Sequence, residues 1–200
     1  MTVSRPAVLL DGQSLCRADL LRLARAEYAV ELCPKALRRV AKAANFLAEQ
    51  VQRQEPIYGV TTGFGSNADR LLGAHRARDE LPGGNPQCND MTLLEELQHN
   101  LIVTHAVCVG DPFAAEVVRA MLAIRINTLL RGHSGIRPST LQSLAEMLNR
   151  GVVPVVPQKG SVGASGDLAP LSHLAIVLLG GGEAFVDGQP IGPAWDLAGE

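Results

Sequence analysis

The 200-residue chain has no apolar run approaching the ~20 residues that cross a bilayer. Its opening, MTVSRPAVLLDG, lacks the long apolar stretch of a secretory signal, so a soluble, cytoplasmic protein with no membrane partner is expected. Cysteine is scarce: Cys16, Cys33, Cys88 and Cys108 form no CxxC pair and are too few and too far apart for a disulfide scaffold, so reduced thiols are expected. None of the five histidines, His75, His99, His105, His133 and His173, falls in an HxxxH pattern or near a cysteine pair, and no metal is assigned. Charge of one sign is lacking too. Eighteen Lys and Arg stand against twenty Asp and Glu, a formal charge of −2, and the basic residues are dispersed, which argues against nucleic acid or an anionic membrane. There is no repeat at a fixed period, no low-complexity tract and no charge block. The partners left are small molecules or further copies of the chain.

What the chain does have is core material. Hydrophobic residues make up 46% and charged residues 19%, which excludes wholesale disorder, and the length suits one large domain or part of one. Val8-Leu9-Leu10 before Asp11-Gly12 reads as a strand and turn, with Ser14 capping a helix over 15–28. Val30-Glu31-Leu32 is a brief extended piece. Pro34 then starts a helix through Gln52 with Leu37, Val40, Ala44 and Leu47 on one face, stopped by Pro56. Residues 57–65, with three glycines, read as an irregular loop, and 80–91 as an exposed loop, an insertion or a lid. Thr92 with Glu95 forms a capping box for a helix to Val109, in which Leu93, Leu94, Leu97, Leu101 and His105 recur at helical steps. Asp111-Pro112 opens a helix over 113–131, and Pro138 one to Asn149. The Pro- and Gly-rich stretch 151–170 reads as loop, Leu171 to Leu179 as an apolar helix ended by glycines, and Val186-Asp187-Gly188-Gln189 as a hairpin turn. The C-terminus, with no helix stop after Trp195, reads as cut.

Three constellations can carry chemistry. Ala164-Ser165-Gly166, before Asp167, is small and flexible enough to bend tightly, although such a tripeptide standing alone is a flexible connector. If the Gly166 amide nitrogen is forced against the Ala164 carbonyl carbon, ring closure and loss of two waters, one from the Ser165 side chain, would give a five-membered ring bearing a methylidene. Such a ring is an electrophile, which the ordinary side chains do not supply. Tyr58 is a phenol in the glycine-rich loop; its plain reading is a ring packed at the loop base. Thr104-His105 lies on the 92–109 helix with the histidine on its apolar face, where a histidine is commonly a hydrogen-bonded core residue. Gly63-Phe64-Gly65-Ser66-Asn67-Ala68 has dinucleotide-loop spacing but no strand, turn and helix unit around it, and neither Ser161 nor Ser165 lies in GxSxG.

The stretches IYGVTTGFG at 57–65 and GSVGASGDLAPLSHLA at 160–175 together resemble the histidine, phenylalanine and tyrosine ammonia-lyase family. LQHNLIVTHAVCVGD, RINTLLRGHSGIRP and LNRGVVPVVPQK between them fit the same pattern, so the resemblance covers nearly the whole chain. It implies a mainly α fold: an N-terminal domain, here 1–200, that bears a 4-methylidene-imidazol-5-one (MIO) group and leads into a long helical bundle, with short strands and hairpins. The MIO would form autocatalytically from Ala164, Ser165 and Gly166. Tyr58 would be the base that removes a β-proton, which requires a hydroxyl that gives up its proton readily. Thr104 and His105 would meet the substrate side chain, with Gly65 and Leu168 as further substrate-binding residues. The corresponding pair is Ser-His in histidine lyases, His-Leu in tyrosine lyases and Phe-Leu in phenylalanine lyases, so Thr104-His105 stands nearest the first, and histidine to urocanate is the expected reaction.

Family members run to more than twice this length, so distal active-site Asn, Tyr, Arg and Glu are expected beyond Glu200. Homotetramers whose sites draw on three subunits are implied as well. The alternatives are an aromatic 2,3-aminomutase, a tyrosine or phenylalanine ammonia-lyase, and an inactive fragment serving as a helical interaction module.

Overall fold

The computed structural model describes residues 5–65, 68, 93–163, 166–186 and 188–192. It is mainly helical with short strands, as expected. β1 (Ala7–Leu10) and β2 (Ala29–Leu32) pair in parallel, Val8 opposite Val30 and Leu10 opposite Leu32, across the crossover helix α1 (Arg17–Ala24). α2 (Pro34–Gln52) follows with Pro at its first turn and Ala36 and Val40 buried. The chain continues through α3 (Leu93–His105), β3 (Val109–Pro112), α4 (Ala115–Leu129), α5 (Pro138–Asn149), β4 (Val152–Pro154), β5 (Pro157–Lys159) and α6 (Leu168–Ile176), then a 3-10 turn, 177–179. β6 (Ala184–Val186) and β7 (Gln189–Ile191) form the expected hairpin, which extends β4 into a three-stranded antiparallel sheet. Among the described residues no helix is long and apolar enough to cross a membrane.

Several expected boundaries move, each for a tertiary reason. Ser14 does not cap α1: its N–H and hydroxyl both donate to Asp11 Oδ1, which also takes the Gln13 N–H. These donors hold the Asp11 carboxyl below its usual pKa, and the helix starts two residues past the expected 15. α1 also ends early, at Ala24, because Ala26 turns into the left-handed region at φ +59° and Ala29 joins β2. α3 stops at His105 rather than Val109, because the Cys108 N–H leaves the helix pattern and donates to His173 Nε2 at 3.1 Å. Val109 to Pro112 then form a strand against β5, so Asp111-Pro112 opens no helix; α4 starts at Ala115 and ends at Leu129. The 151–170 stretch is not all loop, since it holds β4, β5 and the first turn of α6. The 80–91 loop, Thr92, Cys88 and the chain after 192 lie outside the described residues.

α4 is the centre of the core. Val118, Leu122, Ala123, Ile126 and Leu129 are buried along it, against Leu23 of α1, Leu141 and Leu148 of α5, Val30 of β2 and Leu174 of α6. One buried cation sits among them. Arg119, only 5% exposed, donates from Nε to the carbonyls of Leu23 and Ala24 and from Nη1 to that of Leu148, so it ties together the C-terminal ends of α1 and α5. No carboxylate pairs with it among the described contacts, and burial lowers its pKa; the negative ends of two helices do the compensating.

Arg119→Met leaves the Ala24 carbonyl without this donor and thins the bonding of Leu23 and Leu148. It should cost about 1–3 kcal/mol, read as a lower urea midpoint. Arg119→Lys, lacking the planar fork, should recover only part of that.

Candidate active site

The loop after α2 is a hydrogen-bonded knot. The N–H groups of Val60, Thr61 and Thr62 all converge on the Ile57 carbonyl. Buried Thr61 accepts the Ile57 N–H at 2.8 Å and donates to the Glu55 carbonyl, while Thr62 donates to the Gly63 carbonyl at 2.8 Å. This holds Tyr58 at the surface, 66% exposed, with the Gly65 N–H donating to its hydroxyl at 3.0 Å. Two expected site residues, Tyr58 and Gly65, are thereby brought together. The Tyr58 oxygen thus accepts from a backbone donor. The rival dinucleotide reading finds no support, since this loop follows a helix and a turn rather than a parallel strand; Ser66 and Asn67 lie outside the described residues.

His105 ends α3. Its Nδ1 lies 2.8 Å from the Leu101 carbonyl, and because a carbonyl only accepts, Nδ1 carries a proton; in that tautomer of the uncharged imidazole Nε2 is an acceptor. Thr104 is turned back on its own helix, its hydroxyl donating to the Asn100 carbonyl at 2.6 Å and lying 3.3 Å from His105 Nδ1. Together with Leu168, His105 lines a cavity of about 740 Å³ bounded by α3, α4, α5 and α6. The walls are largely apolar, with Leu122, Ile136, Leu144 and Leu171 among them, and polar groups enter from Gln98, His99, Thr140 and Arg137. Tyr58, Gly65, Thr104 and Gly166 are not among the lining residues, so the expected site residues fall into two clusters.

Ala164 and Ser165 lie outside the described residues, but their flanks are informative. Gly163 at φ +64°, Gly166 at +83° and Asp167 at +59° are all left-handed, and Asp167 is a residue type that tolerates this conformation best among those with side chains. The Ser161 hydroxyl donates to Asp167 Oδ1, closing a ring of chain around the tripeptide. At Gly166 an added Cβ would meet nothing within 4 Å, so the glycine is needed for its conformation and not for close packing.

Behind them lies a group that the motifs did not reveal. Cys108 is buried beside Gly160, where an added Cβ would fall 2.9 Å from the Cys108 Cα. Burial, with the Asp167 charge second, pushes the Cys108 thiol up, so it is an inert packing group. His173 accepts the Cys108 N–H through Nε2 and is held neutral by burial, which lowers its pKa. The helix that carries His173 is legible in sequence from Leu171 onward; its partner Cys108, 65 residues away, is not. Among the described residues no cluster of His, Cys, Asp or Glu could hold a metal.

The chain belongs to the aromatic amino acid lyase family, whose family model matches residues 15–197. Among individual proteins, it is 47% identical over 191 residues to a histidine ammonia-lyase of Gloeobacter violaceus, covering 96% of this chain and 34% of that one. Its structure is similar to tyrosine aminomutase from Streptomyces globisporus, with a TM-score of 0.79 and 35% identity over 96% of this chain and 33% of that one. It is likewise similar to histidine ammonia-lyase from Trypanosoma cruzi, with a TM-score of 0.76 and 36% identity over 96% and 33% of the two chains. The chain spans about a third of the length of the curated relatives it matches.

His173 gives the site a pH dependence whose sign is fixed. Unfolded histidine takes up a proton near pH 6.5 while folded His173 does so only at lower pH, so between the two the unfolded state holds more protons. Stability therefore falls as pH drops below about 6.5. His173→Gln keeps an acceptor and loses the titration, so its thermal midpoint should fall less than the parent's between about pH 7.5 and about pH 5.5.

Proposed function

We propose that this chain is the N-terminal, MIO-bearing part of an aromatic amino acid ammonia-lyase, with histidine as substrate and urocanate as product. The observation that carries the substrate choice is His105: one ring nitrogen is spent on Leu101, the ring lines an apolar cavity beside Leu168, and Nε2 is left to accept a hydrogen bond from a substrate imidazole. A site built around such a bond rejects a substrate ring that lacks it. The 47% identity to a histidine ammonia-lyase supports the same choice.

The left-handed flanks of Ala164-Ser165-Gly166 and the Ser161 to Asp167 hydrogen bond support the cofactor. Once formed, the group supplies the electrophilic carbon that makes the substrate amine a leaving group. Tyr58, after giving up its own hydroxyl proton, takes the β-proton on its phenolic oxygen, which the Gly65 N–H holds in place. Leu168 and the apolar walls exclude water from the substrate ring. Ammonia departs and an α,β-unsaturated acid remains.

The structural likeness to a tyrosine aminomutase favours one second reading, in which ammonia is added back at the β-carbon. A β-amino acid among the products would select it.

Exposed Val107, Val109 and Val162, close in the chain to His105 and the tripeptide, support a homo-oligomer, a tetramer, covering this face. The free thiols of Cys16, Cys33 and Cys108 suit the cytoplasm.

In the complete protein, intact mass should fall short of the sequence mass by two waters, and Ser165→Ala should abolish the deficit. A full mass in folded, complete protein would remove the MIO from this account. Tyr58→Phe should keep the deficit and lose about 10²–10⁴-fold in kcat for every substrate. His105→Leu should stay active and shift preference from histidine toward phenylalanine, read as a ratio of kcat/KM values. A monomer by light scattering would contradict the assembly.

A further inference from the structure

We propose that His173 is a positioning residue for the cyclisation of Ala164-Ser165-Gly166: through Cys108 it sets where the two ends of the 160–167 loop stand. This rests on the cofactor reading above. The loop leaves β5 at Gly160 and reaches α6 at Asp167, the residue before Leu168. Both ends come to Cys108. On one side Lys159 pairs with Val109 across β5 and β3, and Gly160 stands so close that an added Cβ would fall 2.9 Å from the Cys108 Cα. On the other, the Asp167 charge is felt at the Cys108 thiol, second only to burial in raising it.

Cys108 is itself held by His173, whose Nε2 accepts its N–H at 3.1 Å. Since His173 stands on α6, this bond closes a circuit: Gly160 to Cys108, Cys108 to His173, and back along α6 to Asp167. The Ser161 hydroxyl, donating to Asp167, crosses the mouth of the loop. A helix is a spacer of fixed rise, so the His173 to Cys108 bond sets the gap that the loop bridges. Cyclisation depends on that gap. The Gly166 nitrogen bonds to the Ala164 carbonyl carbon and passes its proton to the carbonyl oxygen. That oxygen leaves as water with the Ser165 amide proton, and the Ser165 hydroxyl leaves as a second water with the Ser165 α-hydrogen. Nothing is oxidised or reduced. The closure joins two groups of one loop, and a misplacement of about 1 Å can cost about 10²-fold in rate.

The test follows the intact mass of the complete protein with time after cell-free synthesis, for the parent, His173→Leu, His173→Gln and His173→Asn. In folded His173→Leu the loss of two waters should be at least about tenfold slower than in the parent. His173→Gln, which brings an amide oxygen to the Cys108 N–H, should stay within about threefold of the parent. His173→Asn, with the same amide one methylene short, should be as slow as His173→Leu. A merely structural histidine would lower the thermal midpoint of the variants and leave the rate in folded molecules unchanged, which would overturn the proposal. So would a His173→Gln as slow as His173→Leu. If His173→Leu fails to fold, His173→Asn decides against His173→Gln, and equal rates overturn the assignment. If the complete parent folds and never loses two waters, the cofactor reading fails, and His173 is judged by subtilisin cleavage within 160–167. Cleavage about tenfold faster in His173→Leu keeps its hold on the loop, and unchanged cleavage removes it.

Discussion

The buried guanidinium of Arg119 is the interaction on which the arrangement of the helices depends. It lies on the central helix α4 and reaches carbonyls at the ends of α1 and α5, so three elements distant in sequence share one donor group. A charge in this position would be untenable without partners, and carbonyl ends of helices are partners of the right sign. Arg39 repeats the device nearer the surface, donating to the carbonyls of Leu130 and Arg131 past the end of α4 and to that of Asp11. With α4 and α5 fixed in this way, Leu122 and Leu129 of one and Thr140 and Leu144 of the other are set as one wall of the cavity that His105 enters from α3.

Whatever depends on local chemistry is legible in the sequence. α2 and α5 each carry proline in the first turn and an apolar face, and both lie where the pattern puts them. The hairpin at 184–191 follows from its turn residues. The ends of α1 and α3 are not legible, because Asp11 and His173 decide them through hydrogen bonds that no local pattern encodes.

The site divides along the same line. Tyr58, Gly65, His105 and Leu168 stand out through motifs, and the structure joins them in pairs, Tyr58 with Gly65 and His105 with Leu168. The cavity itself could not be read, since four helices spread over more than eighty residues supply its lining.

The β1 and β2 pair makes a two-stranded sheet, and such a sheet has an open side on each strand. On β2, the N–H groups of Ala29 and Cys33 turn inward to the β1 side, bonding to Pro6 and Leu10, which leaves Val30 facing outward. There the Asn149 side chain takes the place of a third strand: its Oδ1 accepts the Val30 N–H at 2.7 Å and its Nδ2 donates to the Val30 carbonyl at 3.0 Å. One amide imitates a peptide unit and then stops, because a side chain cannot propagate a ladder. At Val30 the edge is thus taken by a side chain supplied from 119 residues away, and that position is not free to pair with a strand of another molecule.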